Sequence, residues 1–236
     1  IGISSWCKVL GIARGYDELQ NLPVAGTYSD IIEDIMRRAD LVLFSGGYQR
    51  ILADKLRMLG VHYYVAQLPK TVWDIADMIL QIAASVNCLK RGMKLAGSFT
   101  SKLMDTKKEF RRFPGVKVLV ELNLGEPTLP GFFSHIITGL EFLGLQTLNS
   151  HFYEPYIAGT DAARIAKSFI KKAEIIIYED NTLKPDLHNA IDRLVKFHDL
   201  SSSTKIVVLP TLTLTDYGPR FVDSLRFLGT KIMEFL

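Results

Sequence analysis

From Thr71 to about Phe113 the chain runs 43 residues without a proline, and its apolar residues keep helical spacing throughout. Few folds place so long a helical stretch in mid-chain with strand–helix alternation on both sides. Thr71 and Asp74 form a T-x-x-D start signal, in which each side chain can cap the other's backbone N–H. Asn87-Cys88 and Gly92 are weak points, so the pattern predicts one shorter helix followed by a long one. A helix from Cys88 to Arg112 would span roughly 37 Å at 1.5 Å per residue, the width of a small domain. Its last turns carry Lys107, Lys108, Arg111 and Arg112, which suit the negative end of a helix dipole.

Before this stretch the rhythm is strand, helix, strand, helix, strand. Ile1–Ser4 reads as a strand end, and Asp30–Arg38 as a short helix with Ile31, Ile32, Ile35 and Met36 on one face. Leu41–Phe44 is a continuous apolar run, which predicts a strand buried on both faces. Gln49–Leu59 is an amphipathic helix that Gly60 ends, and Val61–Ala66 is the next strand. This order implies a parallel sheet with crossover helices. After Pro114-Gly115 the alternation resumes: strand Val116–Leu122, helices Phe133–Leu143 and Thr160–Lys172, strand Glu174–Tyr178, helix Lys184–Phe197, strand Lys205–Leu209, and closing helix Pro219–Leu236. The plan is an α/β lobe over 1–70, a helical connector over 71–113 and a second α/β lobe over 114–236.

Composition narrows the function. Twenty-eight Lys and Arg against 25 Asp and Glu leave +3, too mild a balance to argue for nucleic acid, and no basic–aromatic reading motif is present. No stretch approaches the ~18 apolar residues of a membrane span. The opening IGISSW lacks a Met and already reads as a strand, so the natural start is expected upstream, and the missing leader says little about location. Cys7 and Cys88 form no C-x-x-C pair. They read as two free thiols, although an oxidising compartment would permit a disulfide.

The strand-end loops carry few residues suited to chemistry. Ser45-Gly46-Gly47-Tyr48 follows a buried strand but lacks the spacing and lysine of a phosphate loop. G-x-G-x-x-G, G-x-S-x-G, H-E-x-x-H and EF-hand patterns are absent. The five histidines, at 62, 135, 151, 188 and 198, are scattered and build no metal site on sequence grounds, so no metal is expected. The other strand-end loops hold Ser4-Ser5-Trp6, Asn123-Leu124-Gly125 and Thr211–Tyr217. Small, hydroxyl and aromatic residues there suit an apolar-walled pocket and favour binding over catalysis.

The segments IGISSWC, LPVAGTYSDIIEDI and ADLVLFSGGYQRILADKLRMLGVHYYV resemble, in order, the first lobe of the class III periplasmic binding proteins of ABC importers, the cobalamin, haem and siderophore carriers. Ala39 stands where that family has the proline of PDLV, and Ile31 or Ile32 where it has an Asn. VKVLVELNLGEPTLPGFFSHIITGLEFLGLQTLNS and KIVVLPTLTLTDYGPRFVDSLRFL are similar, more loosely, to its second lobe. The family has one more strand and helix before the point where this sequence begins.

The resemblance implies two Rossmann-like α/β lobes joined by a single long rigid helix, with the ligand held between them. It implies ligand contacts from Trp6, Tyr28, Ser45, Gly46, Gly47 and Tyr48 of the first lobe, and from Thr128, Asp216 and Tyr217 of the second. The alternative for Trp6 and Tyr28 is core packing, and for Tyr217 a capping role in its loop. Arg220 is a further cleft-adjacent candidate. Glu33 and Asp161 fall where the family carries acids that dock on the membrane permease; otherwise they are solvated helix carboxylates. The expected protein is then an extracytoplasmic, monomeric, non-enzymatic carrier of a corrinoid, haem or ferric siderophore, with no resident cofactor. The rivals are a free-ion carrier and a two-lobed metal-handling enzyme such as a chelatase, for which His151 and Glu121 are the only nominees.

Overall fold

The computed structural model describes residues 3–4, 24–26, 33–45, 52–111, 113, 115–182, 189–200 and 204–236. The chain divides into two compact units, Ile1–Leu68 and Pro69–Leu236.

In the first unit, β1 (Ile3–Ser4) pairs in parallel with β2 (Val24–Gly26), and α1 covers Glu33–Met36. β3 (Val42–Ser45) pairs in parallel with β4 (Tyr63–Ala66), with α2 (Leu52–Met58) as the crossover. α2 forms because Leu52 and Leu56 share a buried face, with Leu56 packed among Met36, Phe44 and Val61, while Asp54, Lys55 and Arg57 point to water. Gly60 ends this turn at φ +67°, where a side chain would be strained. The strand over 41–44 departs from expectation on one point. Phe44 is buried and stacks obliquely on Tyr63, but Leu43, on the opposite face, is 43% exposed. Only one face of β3 is covered among the described residues.

The second unit begins with the helical stretch. Thr71 Oγ1 accepts from the Asp74 N–H (3.3 Å), and Asp74 Oδ2 accepts from the N–H groups of Lys70 and Thr71 (both 2.9 Å). The reciprocal cap read from T-x-x-D is therefore present, just ahead of α3 (Asp74–Ser85). The chain breaks at Asn87, whose φ is +54°, and α4 runs from Leu89 to Glu109. Gly92 is where the two helices touch: a Cβ there would lie 2.3 Å from Ala83 Cβ.

The sheet has strand order β10-β9-β5-β6-β8, with β7 also pairing β5. β5 (Lys117–Asn123), β9 (Ile175–Asp180) and β10 (Lys205–Leu209) are parallel and in register, so their carboxyl ends finish level. β6 (Pro127–Pro130) and β8 (Tyr156–Ala158) are short antiparallel additions that strand periodicity did not reveal, and they make the sheet mixed rather than parallel. β7 is Gln146–Thr147. The remaining helices are α5 (His135–Leu143), α6 (Gly159–Phe169), α7 (Ala190–His198) and α8 (Phe221–Met233).

Alternation along the strands explains the layers. Val118, Val120 and Leu122 of β5 and Ile175 and Ile177 of β9 join Phe99, Leu103, Ile136, Leu140, Phe221 and Leu225 in the main core. Leu119 and Ile176 point the other way, onto Ala162 and Ala166 of α6. Each fully buried Leu or Ile contributes about 1.5–3 kcal/mol of transfer free energy. Asn149 supplies what the short β6 cannot. Its side chain accepts from Val120 N–H (2.8 Å) and donates to the carbonyls of Val120 and Pro130 (both 2.9 Å), standing in for a ladder segment between β5 and β6.

Gly131 sits just past β6, where a Cβ would meet the Glu154 carbonyl oxygen at 2.0 Å and that of Phe152 at 2.8 Å. Backbone cannot rotate out of the way as a side chain can. Gly131→Ala is expected to destabilise the protein by about 2 kcal/mol, as overpacking does, read as a lower denaturation midpoint at unchanged m-value.

Candidate functional site

The level carboxyl ends of β5, β9 and β10 form an edge on which polar side chains of the second unit collect. β9 ends in Glu179-Asp180 and is followed by Asn181, all buried. The Asn181 N–H donates to the Asn123 carbonyl (2.8 Å), extending the ladder by one residue, and the Asn123 side chain closes a tight turn onto the Gly125 N–H (3.1 Å).

The loop after β10 is lashed to this end of β9. Glu179 accepts from the N–H of Leu214, the N–H of Thr215 (3.3 Å), the Thr215 hydroxyl (2.6 Å) and the Asn181 amide (2.7 Å). Asn181 Oδ1 accepts from Leu212 N–H (2.8 Å), and the Thr211 hydroxyl donates to the Asp180 carbonyl (2.7 Å). Leu212 is held at φ +61°, a conformation that leucine rarely adopts and that its neighbours must enforce. Burial pushes the Glu179 carboxyl above the usual carboxylate range, and the four donors oppose that shift. Oε1 takes three of these donors and Oε2 the Leu214 N–H, so the carboxylate is the anchor of the loop. It preorganises the loop.

What the loop carries is Asp216 and Tyr217. Asp216 accepts from Gly218 N–H (2.9 Å) and from Arg220 (3.1 Å), so acid and arginine are paired with each other. Tyr217 packs edge-on against His135, with ring centroids 5.9 Å apart. His135 is the first residue of α5, placed by Ser134, whose hydroxyl accepts from Ile137 N–H (3.3 Å) and donates to the Gly131 carbonyl (2.8 Å). The buried imidazole lies between the carbonyls of Leu214 (Nε2, 3.0 Å) and Pro69 and against Phe221, and burial lowers its pKa to about 4. Tyr156, on β8, keeps about a third of its surface exposed. Its hydroxyl end is desolvated beside Tyr217 and Glu179, which together raise its pKa above the ordinary phenol value.

Of the second-unit candidates, Thr128, Asp216 and Tyr217 all lie toward this edge. Thr128 is buried, and its hydroxyl donates to the Glu126 carbonyl (3.1 Å). Beyond them, Phe132, Phe133 and Tyr153 form an exposed aromatic run, with centroids 5.3 and 6.5 Å apart. Of the first-unit candidates, Trp6, Tyr28, Gly46, Gly47 and Tyr48 lie outside the described residues, as does Cys7; Ser45 is described only as the last residue of β3. Cys88 is a free, exposed thiol. Glu33 and Asp161 are both exposed, each in a short-range pair, with Arg37 just past α1 (3.5 Å) and with Arg164 on α6 (3.3 Å).

The two enzyme nominees are otherwise engaged. Glu121 is buried and bonded to His198 Nε2 (2.8 Å), and His151 stacks on Phe169. Among the described residues, no three His, Cys, Asp or Glu side chains gather to hold a metal ion, and no helix is long and apolar enough to cross a membrane. Sequence reading passed over Glu179, Asn181, Tyr156 and His135. The available signal was the acidic pair that closes the apolar run IIIY at the strand end.

No protein-family model matches the sequence, and no curated protein matches it. Solved structures do. The periplasmic heme-binding protein RhuT from Roseiflexus sp. RS-1 aligns with TM-score 0.73 at 17% identity, over 96% of this chain and 93% of that one. A possible iron-binding (periplasmic solute-binding) protein from Staphylococcus epidermidis gives 0.74 at 15% identity, over 97% and 94%. The periplasmic vitamin B12 binding protein BtuF of Vibrio cholerae gives 0.69 at 20% identity, over 93% and 84%. At these identities the likeness is one of fold.

Proposed function

We propose, from the premise that the chain has the two-lobed α/β fold of the class III periplasmic binding proteins, that it is a substrate-binding protein working outside the cytoplasmic membrane. In this reading it captures a metal chelate (a corrinoid, haem or ferric siderophore) and hands it to an ABC importer. One observation carries the reading: nearly the whole chain shares its fold with proteins described as binding heme or vitamin B12, and with a component of an Fe3+-hydroxamate transport system. The loop held by Glu179 supports capture, since it presents Tyr217 on a preorganised backbone.

The ligand-facing groups of this reading are Trp6, Tyr28 and Ser45 to Tyr48 in the first unit, with Thr128, Asp216 and Tyr217 in the second. Glu33 and Asp161 dock the carrier on its permease. The decisive experiment titrates the purified protein with hemin, cyanocobalamin and ferrichrome, following absorbance and thermal unfolding. One of the three is expected to bind saturably. At a hundredfold excess over Kd it should add about 2.7 kcal/mol of stability, raising Tm by roughly 5–10 °C. Absence of binding by all three overturns the reading.

A further inference from the structure

Helical spacing sorts the residues of α4 into three bands. Gly92, Ala96, Phe99 and Leu103 face inward and are buried. Leu89, Met93, Gly97 and Met104 follow one another along the adjoining flank, and Lys90 and Lys94 form the next ridge out. The flank is open: Leu89 is 49% exposed, Met93 62% and Met104 43%, and a Cβ on Gly97 would meet nothing within 4 Å. At 1.5 Å per residue this apolar stripe is about 22 Å long. Its charge is one-sided. Between Asp77 and Asp105 the sequence has no acidic residue, but it has Lys90, Arg91, Lys94 and Lys102. Lys102 reaches Asp223 (3.5 Å), whereas Lys90, Arg91 and Lys94 make no ion pair among the described residues. Lys90 and Arg91 also stand in the first turn of α4, where cations oppose the helix dipole and cost stability. Neither the core nor the helix itself gains from this band of charge.

We propose, resting on the carrier reading only for the nearness of a membrane, that this flank of α4 is a reversible contact surface for anionic phospholipid. Leucine and methionine side chains settle at the headgroup boundary, and the lysines of the next ridge extend to the phosphates. The composition fits lipid better than protein. The stripe holds no aromatic or arginine anchor, and lysine is depleted in protein interfaces. A second copy of the chain would bring the same excess of positive charge to the contact. A fluid surface of negative charge needs neither a groove nor a fixed register, and the unbranched Met93 and Met104 adapt to it.

The test sediments the whole chain with unilamellar vesicles. Phosphatidylglycerol mixed equally with phosphatidylcholine should bind it at least about tenfold more tightly than phosphatidylcholine alone. Raising salt from about 0.1 to about 1 M shortens the Debye length from about 10 to about 3 Å and should remove most of that preference. Each Lys or Arg near an anionic surface is worth roughly fivefold in affinity, so Lys90→Gln, Arg91→Gln and Lys94→Gln together should weaken binding about a hundredfold. The same charge change at exposed Lys167, Lys171 and Lys172, each to Gln, should alter it by about twofold at most. Met93→Ser, at an exposed position that leaves the core intact, should weaken binding about threefold or more. Binding of hemin, cyanocobalamin or ferrichrome should be the same in the first triple variant as in the parent. Loss of chelate binding with the vesicle preference intact would overturn the carrier reading alone. No preference for anionic vesicles overturns the lipid contact, as does a preference that survives the first triple variant or falls equally in the second. So does a dimer, seen by sedimentation equilibrium, that Met93→Ser dissolves, because the stripe then belongs to a second copy.

Discussion

Glu179→Ala is expected to lower the melting temperature by roughly 10 °C, equivalent to about 4 kcal/mol at this chain length. The carboxylate is wholly buried and takes four hydrogen bonds, from the Leu214 N–H, the Thr215 N–H, the Thr215 hydroxyl and the Asn181 amide. Alanine would leave those donors facing a void. Each orphaned donor costs about 1–3 kcal/mol, less where water can reach it, as it can at part-buried Thr215. Glu179→Gln keeps one acceptor oxygen and should lose about half as much. Differential scanning calorimetry separates the three proteins, and a shift below 2 °C for the alanine variant would show that the loop is held by something else. Ligand affinity should fall with the clamp, by about tenfold, because Leu212 at φ +61° has no local reason to remain there once its neighbours loosen.

The second large effect is acid instability set by His135. Its folded pKa is about 4, against about 6.5 for a free histidine. Between those values the unfolded chain takes up a proton that the folded chain refuses, so stability rises with pH across the window. The contribution is fully present above about pH 6.5 and lost as pH falls to about 4; a depression of this size corresponds to about 3 kcal/mol. Urea midpoints measured from pH 7.5 to 4 should show this slope, and His135→Gln should flatten it. Glu179 works with the opposite sign. Its raised pKa favours the fold at low pH, and that contribution is lost as pH rises through the folded value, so the two residues are told apart by comparing their variants. An unchanged slope in His135→Gln would place the titrating group elsewhere.

Helices with strong periodicity and a punctuating residue were legible in the sequence. The break near Asn87, the long helix after it, the stop at Gly60 and the reciprocal cap at Thr71 and Asp74 are all local chemistry, and all are present. The antiparallel additions were not. Pro127 and Pro130 bound β6 and suppress its strand signal, and β6 exists because it pairs across to β5 and β8 at a few positions. Asn149 is similarly silent, since its three bonds go to residues 19 and 29 positions away. The loop at 211–217 could be picked out as a strand-end segment rich in hydroxyls and aromatics. The residues that fix its shape could not, because Glu179 and Asn181 act on partners more than thirty positions downstream.

The paired helices α3 and α4 belong to the second unit's core, with Ile75, Phe99 and Leu103 sharing a cluster with the sheet residues Val118, Val120 and Ile177. A helix that shares its buried surface with a sheet has its opening coupled to that of the sheet. In cooperative terms the long helix is expected to open with the second unit's foldon, its central amides sharing the exchange protection of β5 and β9.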